Sequence, residues 1–157
     1  NLERLQLSAE TMAQDLTKFT PDELFDAILL DAPCSSTGTT RRHPDVLWTK
    51  GPEDIAKLAA LQERLLRHAL RLLKPDGTIV FSNCSLDPSE GEEVVAQVLK
   101  DTEGFERVAI EPSRWPGLEE AISPLGEFRT TPDMLKLPSG FAPGLDGFYA
   151  AVLRRVA

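Results

Sequence analysis

Two short, unbroken apolar runs, FDAILLDAP from Phe25 and TIVFSNCS from Thr78, lie either side of one long amphipathic stripe. Runs of this kind suit strands covered on both faces of a parallel sheet. Between them Ile55, Leu58, Leu61, Leu65, Ala69 and Leu72 recur at spacings of three and four, the pattern of a helix with one buried face. Pro52 suits a first helical position, Glu53 and Asp54 a first turn, and Lys74-Pro75-Asp76-Gly77 turns the chain afterwards. Strand, helix, strand implies parallel pairing through a right-handed crossover, the unit of a three-layer α/β sandwich. Ligands of such sheets sit beyond the carboxyl ends of the strands.

The flanking segments extend this alternation. NLERLQL at the start reads as the end of an amphipathic helix, and with Asn1 rather than methionine first the chain is expected to begin inside an element. AETMAQD, Ala9 to Asp15, is compatible with a short strand. Ser35 to Gly51, rich in Thr and Arg, is too long for a plain connector and is expected to be functional. Asp87-Pro88-Ser89-Glu90 predicts a helix start, with Asp as cap, Pro first and Glu third. Val94, Val95, Val98 and Leu99 form the buried face of that helix. FERVAI from Phe105 predicts a third strand. Glu111 to Asp146 holds six of the twelve prolines and is expected to be irregular, and GFYAAVLRR from Gly147 closes the domain as a strand.

Composition narrows the function. Seventeen basic residues against 25 acidic ones leave a net charge of −8, which excludes a strongly basic nucleic-acid binder but not a local basic patch. No apolar run approaches the roughly 18 residues of a membrane span. Nothing resembles a secretory leader, and two cysteines make no disulfide framework. A cytoplasmic location is expected.

Each cysteine therefore needs its own account. A cysteine at a strand end is more often packing than chemistry. Cys34 and Cys84, however, follow the carboxyl ends of two strands that would neighbour each other, about 4.8 Å apart. They can then be a disulfide, half a metal site, or two reactive thiols. A zinc site needs ligands that the sequence does not place nearby, so no metal is expected. His68 belongs to the long helix, and no local signature supports a Cys-His protease dyad with His43. Asp31 stands three residues before Cys34 on a Pro-fixed turn. Arg41, Arg42 and Lys50 against Asp45, with His43 and Trp48 interleaved, suit phosphate contact and base stacking, or merely a solvated loop.

DAPCSSTGTTRRHPDVLW, then the helix, KPDG, the strand and NCSLDPSEGEEV, resembles the RsmB/Sun (Fmu) family of RNA cytosine-5 methyltransferases. RTTPDMLKLPSG and DGFYAAVLRR match the family's last motif, so the likeness covers nearly the whole chain. The fold it implies is a Rossmann-like methyltransferase domain with a mostly parallel sheet. Residues 1–157 are expected to be the C-terminal part of that domain. The glycine-rich S-adenosylmethionine loop, the first two strands and the N-terminal RNA-binding region are missing from the likeness. On that account the chain alone is expected to bind S-adenosylmethionine weakly or not at all, and to be inactive.

The resemblance also implies roles. Cys84 corresponds to the nucleophile that adds to carbon 6 of cytosine, making carbon 5 able to attack the cofactor's methyl group. Cys34 corresponds to the cysteine that assists release of the covalent adduct. Asp31 corresponds to an acid that contacts cofactor and base, and Asp15 to an acid that binds the cofactor. Arg41, Arg42, His43 and Lys50 fall in the loop expected to meet RNA, with ribosomal RNA as the substrate. Asn83 departs from the threonine common in the family. Two rivals stand beside this reading. One is an inactive RNA-binding or scaffold domain of the same fold, against which the retention of Asp31, Cys34 and Cys84 speaks. The other is a DNA-type cytosine-5 methyltransferase, in which Cys34 would be the nucleophile.

Overall fold

The computed structural model describes residues 1–134 and 144–156. Its helices are α1 (Leu2–Leu5), α2 (Val46–Thr49), α3 (Pro52–Arg71) and α4 (Glu92–Asp101). Its strands are β1 (Phe25–Asp31), β2 (Leu73–Asn83), β3 (Phe105–Val108), β4 (Phe128–Thr130) and β5 (Phe148–Arg155). α3 starts where the proline and acids place it, and the Asp54 carboxylate accepts from the Gly51 N–H at 3.0 Å. Its apolar stripe packs with the Val94, Val95 and Val98 face of α4 onto one face of the sheet. There the helices meet Leu30, Ile79, Phe81, Tyr149, Ala151 and Leu153.

The sheet runs β1-β2-β5-β3, with β4 paired to the other end of β5. β1 and β2 are parallel, with Asp31 opposite Ser82, as the strand-helix-strand pattern requires. The pairs that β5 makes with β2, β3 and β4 are antiparallel, so the sheet is mixed. Among the described residues no α-helix lies between β3 and β5, so no helical crossover fixes the direction of the closing strand. Lys74-Pro75-Asp76-Gly77 is an irregularity inside β2 rather than a turn ahead of it, and the register jumps from Phe25↔Leu73 to Ala27↔Thr78.

Three further expectations need correcting. Residues 9–15 form no strand: they pair with no strand of the sheet. β1 is not covered on both faces: Leu30 faces the helices, but Leu29 is 72% exposed. The face that carries Leu29, Val80, Ala150 and Val152 has Trp115 and Phe128 at its border and no helix of the described residues upon it. The predicted helix start at Pro88 is a 3-10 turn, Pro88–Glu90, and α4 begins only at Glu92. Gly91 separates the two. A Cβ there would lie 3.0 Å from the Tyr149 ring and closer still to Arg129. The irregular stretch also contains β4, a three-residue strand too short to leave a periodic signal. Residues 135–140 of the RTTPDMLKLPSG motif lie outside the described residues.

Phe81 sits at the centre, fully buried on the middle strand and edge-on to Tyr149 at 6.2 Å between centroids. Phe81→Ala should destabilise the fold by about 3–5 kcal/mol, transfer loss and cavity together, read as a lower midpoint in urea unfolding. No helix among the described residues is long and apolar enough to cross a membrane.

Candidate active site

β1 and β2 end side by side, and the chain leaves both ends into turns that are sewn together. The Ala32 N–H donates to Ser82 O at 2.8 Å, and the Gly38 N–H donates to Cys84 O at 2.9 Å. Gly38 is required here: a Cβ would stand 2.2 Å from Gly147 O and 2.7 Å from Cys84 O. The result brings Cys34 Sγ to 3.5 Å from Cys84 Sγ. Both thiols are free and half-buried. Ser36 lies between them, its N–H donating to Cys34 Sγ at 3.4 Å and its hydroxyl 3.6 Å from Cys84 Sγ.

Burial, reinforced by the neighbouring Cys84, pushes the Cys34 thiol up from its ordinary value of 9.0 to about 11. Cys34 is thus a proton-bearing group at neutral pH. The unfolded thiol ionises first as pH rises, so this contribution to stability is complete below about 9 and is lost towards 11. Alkylation of Cys34 by iodoacetamide, followed by peptide mass, should show its midpoint near pH 11 in the native protein and near 9 after unfolding.

Asp31 lies at the end of β1, exposed, and accepts from the Ser82 hydroxyl at 3.2 Å. With Ser82 it closes one end of an apolar cleft of about 560 Å³ on the bare sheet face, which Leu29, Val80 and Ala150 also line. Asp15 is exposed too and caps the 3-10 turn Leu16–Lys18. The Thr17 hydroxyl and N–H hold its carboxyl below the usual range.

Residues 41–45 and 47–50 are exposed, Trp48 at 89%, and include His43 and Lys50. Arg41 and Arg42 both reach Asp146, Arg41 at 3.5 Å and Arg42 in a closer two-nitrogen contact. Asp146 offsets part of the positive charge counted from the loop alone. The hydrogen bond to Asp146 holds the Arg42 guanidinium above its ordinary value. Among the described residues no group of three or more His, Cys, Asp or Glu side chains is arranged to hold a metal ion.

Three residues were missed by reading the sequence. Glu90 looked like a helix-capping residue but points inward. Gln62, a polar residue in the buried register of α3, donates to Pro33 O at 2.8 Å, and that break in the apolar stripe is the signal it leaves. Arg129 pairs with Glu92, lies over the Tyr149 ring at 4.8 Å and donates to Ser85 O beside Cys84.

The family model for the 16S rRNA methyltransferase RsmB/F matches residues 1–154. The chain belongs to the RsmB/F family. It is 38% identical over 158 residues to the ribosomal RNA small subunit methyltransferase B of Vibrio cholerae, covering 99% of this chain and 32% of that protein. Among solved structures, PH0851 matches with a TM-score of 0.81 at 26% identity, over 98% of this chain and 33% of that one. A methyltransferase homologue from Pyrococcus horikoshii matches at 0.64 and 29% identity, over 86% of this chain and 40% of that one. The chain spans about a third of the length of the curated relatives it matches. The Rossmann-like RsmB/F fold is therefore represented here by β1-β2-β5-β3 and one helical layer.

Proposed function

We propose that the protein carrying this chain transfers a methyl group to carbon 5 of cytosine in RNA, ribosomal RNA by the names of its relatives, in the cytoplasm. The observation that supports this most is the pair of thiols 3.5 Å apart at two adjacent strand ends. One thiol has to attack and one has to assist, and the two adjacent strand ends bring both half-buried thiols together.

In this reading Cys84 adds as thiolate to carbon 6, and the electron pair of the 5,6 double bond becomes available at carbon 5. S-adenosylmethionine, when bound, supplies the methyl group that carbon 5 takes. Asp31 and Asp15 fit that cationic ligand as exposed carboxylates, Asp31 with the Ser82 hydroxyl beside it. Solvent water then takes the proton from carbon 5, whose electron pair re-forms the 5,6 double bond and expels Cys84 as the thiolate. Cys34, held protonated by burial, stands beside the sulfur that leaves. The test is nucleoside analysis of RNA after incubation with the intact protein and labelled S-adenosylmethionine. Label in 5-methylcytidine supports the reading, and label on the exocyclic nitrogen of cytosine or in another nucleoside overturns it.

The same reading assigns Arg41, Arg42, His43 and Lys50 to the RNA backbone. Reversing Arg41 and Arg42 to Glu in the intact protein should weaken RNA binding. It should also reduce the slope of log K against log salt by about 0.7 for each phosphate of single-stranded RNA that is no longer neutralised, measured by filter binding over a salt series. An unchanged slope would show that the loop faces away from RNA.

A further inference from the structure

Glu90 is fully buried, and none of its partners among the described residues is a cation. One carboxylate oxygen accepts from the Ser35 N–H at 2.9 Å and from Gln62 Nε2 at 3.1 Å. The other accepts from the Ser35 hydroxyl at 2.5 Å and the Ser85 hydroxyl at 2.7 Å. Ser35 and Ser85 are the residues directly after Cys34 and Cys84. Buried charge without a counter-charge is costly, and it persists only where its hydrogen bonds are complete. A helix cap in solvent would need none of this.

We infer that Glu90 is a positioning residue, a clamp that holds the two cysteine turns together and so sets the separation of the thiols. The geometry supports this in three ways. The carboxylate reaches both turns at once, so a shift of either turn breaks bonds to it. Asn83 locks the clamp from behind, its amide donating to Glu90 O at 2.5 Å and its oxygen accepting from the Ser85 N–H at 2.9 Å. Gln62 ties Glu90 Oε1, the oxygen that also accepts from the Ser35 N–H, to α3, the crossover between the strands. The 3-10 turn that displaces the start of α4 is what lets Glu90 point inward. The catalytic consequence rests on the reading that Cys84 attacks and Cys34 assists. The geometric claim does not.

The test compares the intact protein with Glu90→Gln, which keeps the side-chain length but sets a donor amide against the two serine hydroxyls. Each is equilibrated with glutathione and glutathione disulfide, and intact mass reports closure of a Cys34–Cys84 disulfide. Two protein thiols and one glutathione disulfide give one protein disulfide and two glutathiones. Thiols 3.5 Å apart need to move little to reach the bonding distance of about 2.05 Å. Closure in the wild type is expected, with an equilibrium constant about tenfold lower in Glu90→Gln, the loss of one hydrogen bond to a charged group. Circular dichroism checks folding. Should Glu90→Gln fail to fold, the Ser35→Ala, Ser85→Ala double variant keeps the carboxylate, removes both hydroxyls and should show the same loss.

A constant equal to that of the wild type, or a wild-type pair that does not close, overturns the clamp. In methyl transfer, kcat should fall about 10²-fold with KM for RNA little changed, as expected when reacting groups move by about 1 Å. A rise in KM at constant kcat would mean that Glu90 serves RNA binding instead. A wild-type protein that forms no RNA adduct through Cys84 overturns the catalytic reading and leaves the thiol equilibrium to judge the clamp.

Discussion

Cys84→Ala should leave the intact protein without measurable methyl transfer, a loss on the order of 10⁴-fold or more in kcat, and without any RNA adduct stable to denaturing gels. Carbon 5 of cytosine is a poor nucleophile until something adds to carbon 6. Among the described residues the one other thiol close to Cys84 is that of Cys34, and burial keeps it protonated far above neutral pH. A serine hydroxyl such as that of Ser36 is a much weaker nucleophile still, so no neighbour can take over. RNA affinity and thermal stability should change little, because a half-buried thiol at a turn contributes little packing. Filter binding and thermal unfolding of the same variant separate loss of chemistry from loss of fold. Methylation that survives Cys84→Ala would transfer the nucleophile's role to Cys34 and make the DNA-type arrangement the better description.

Much of this site was legible in the sequence because its parts are local. Asp31 and Cys34 sit on one strand end and Cys84 on the other, and strand-helix-strand spacing alone makes those ends neighbours. The parallel β1-β2 pair and α3 follow from periodicity that the fold had no reason to override. What the sequence hid depends on partners far along the chain. The direction of β5 is seen only in its antiparallel pairing with β2, β3 and β4, which its own residues do not encode. The exposure of Leu29 depends on what covers the sheet, and an apolar run reads the same whether its second face is covered or bare. Glu90 satisfies every rule for a capping residue, so local reasoning places it in solvent. Partners elsewhere in the chain draw it inward: Ser35, 55 residues before it, Gln62, and Ser85, five residues before it. Asp146 lies 104 residues from Arg42, so the loop read as more positive than it is.

Cys34→Ala should have the opposite signature from Cys84→Ala. Turnover should fall, yet a Cys84–RNA species should build up towards one per protein molecule, because formation of the adduct is spared and its breakdown is not. The structure supplies the physical reasons. The Cys34 thiol stands 3.5 Å from the sulfur that must leave, and its pKa near 11 makes it a proton donor and not a competing nucleophile at neutral pH. Alanine removes that group and leaves the turn intact, since the Ser35 N–H and hydroxyl still reach Glu90. A single-turnover experiment on a denaturing gel, with labelled RNA and S-adenosylmethionine, would show the retarded band, and peptide mapping would place the link on Cys84. Cys34→Ser should accumulate less adduct than Cys34→Ala, because a hydroxyl at the same place restores part of the hydrogen bonding to the leaving sulfur. A Cys34→Ala protein that turns over at the wild-type rate with no retarded band would remove Cys34 from the chemistry and leave it a packing residue at a strand end.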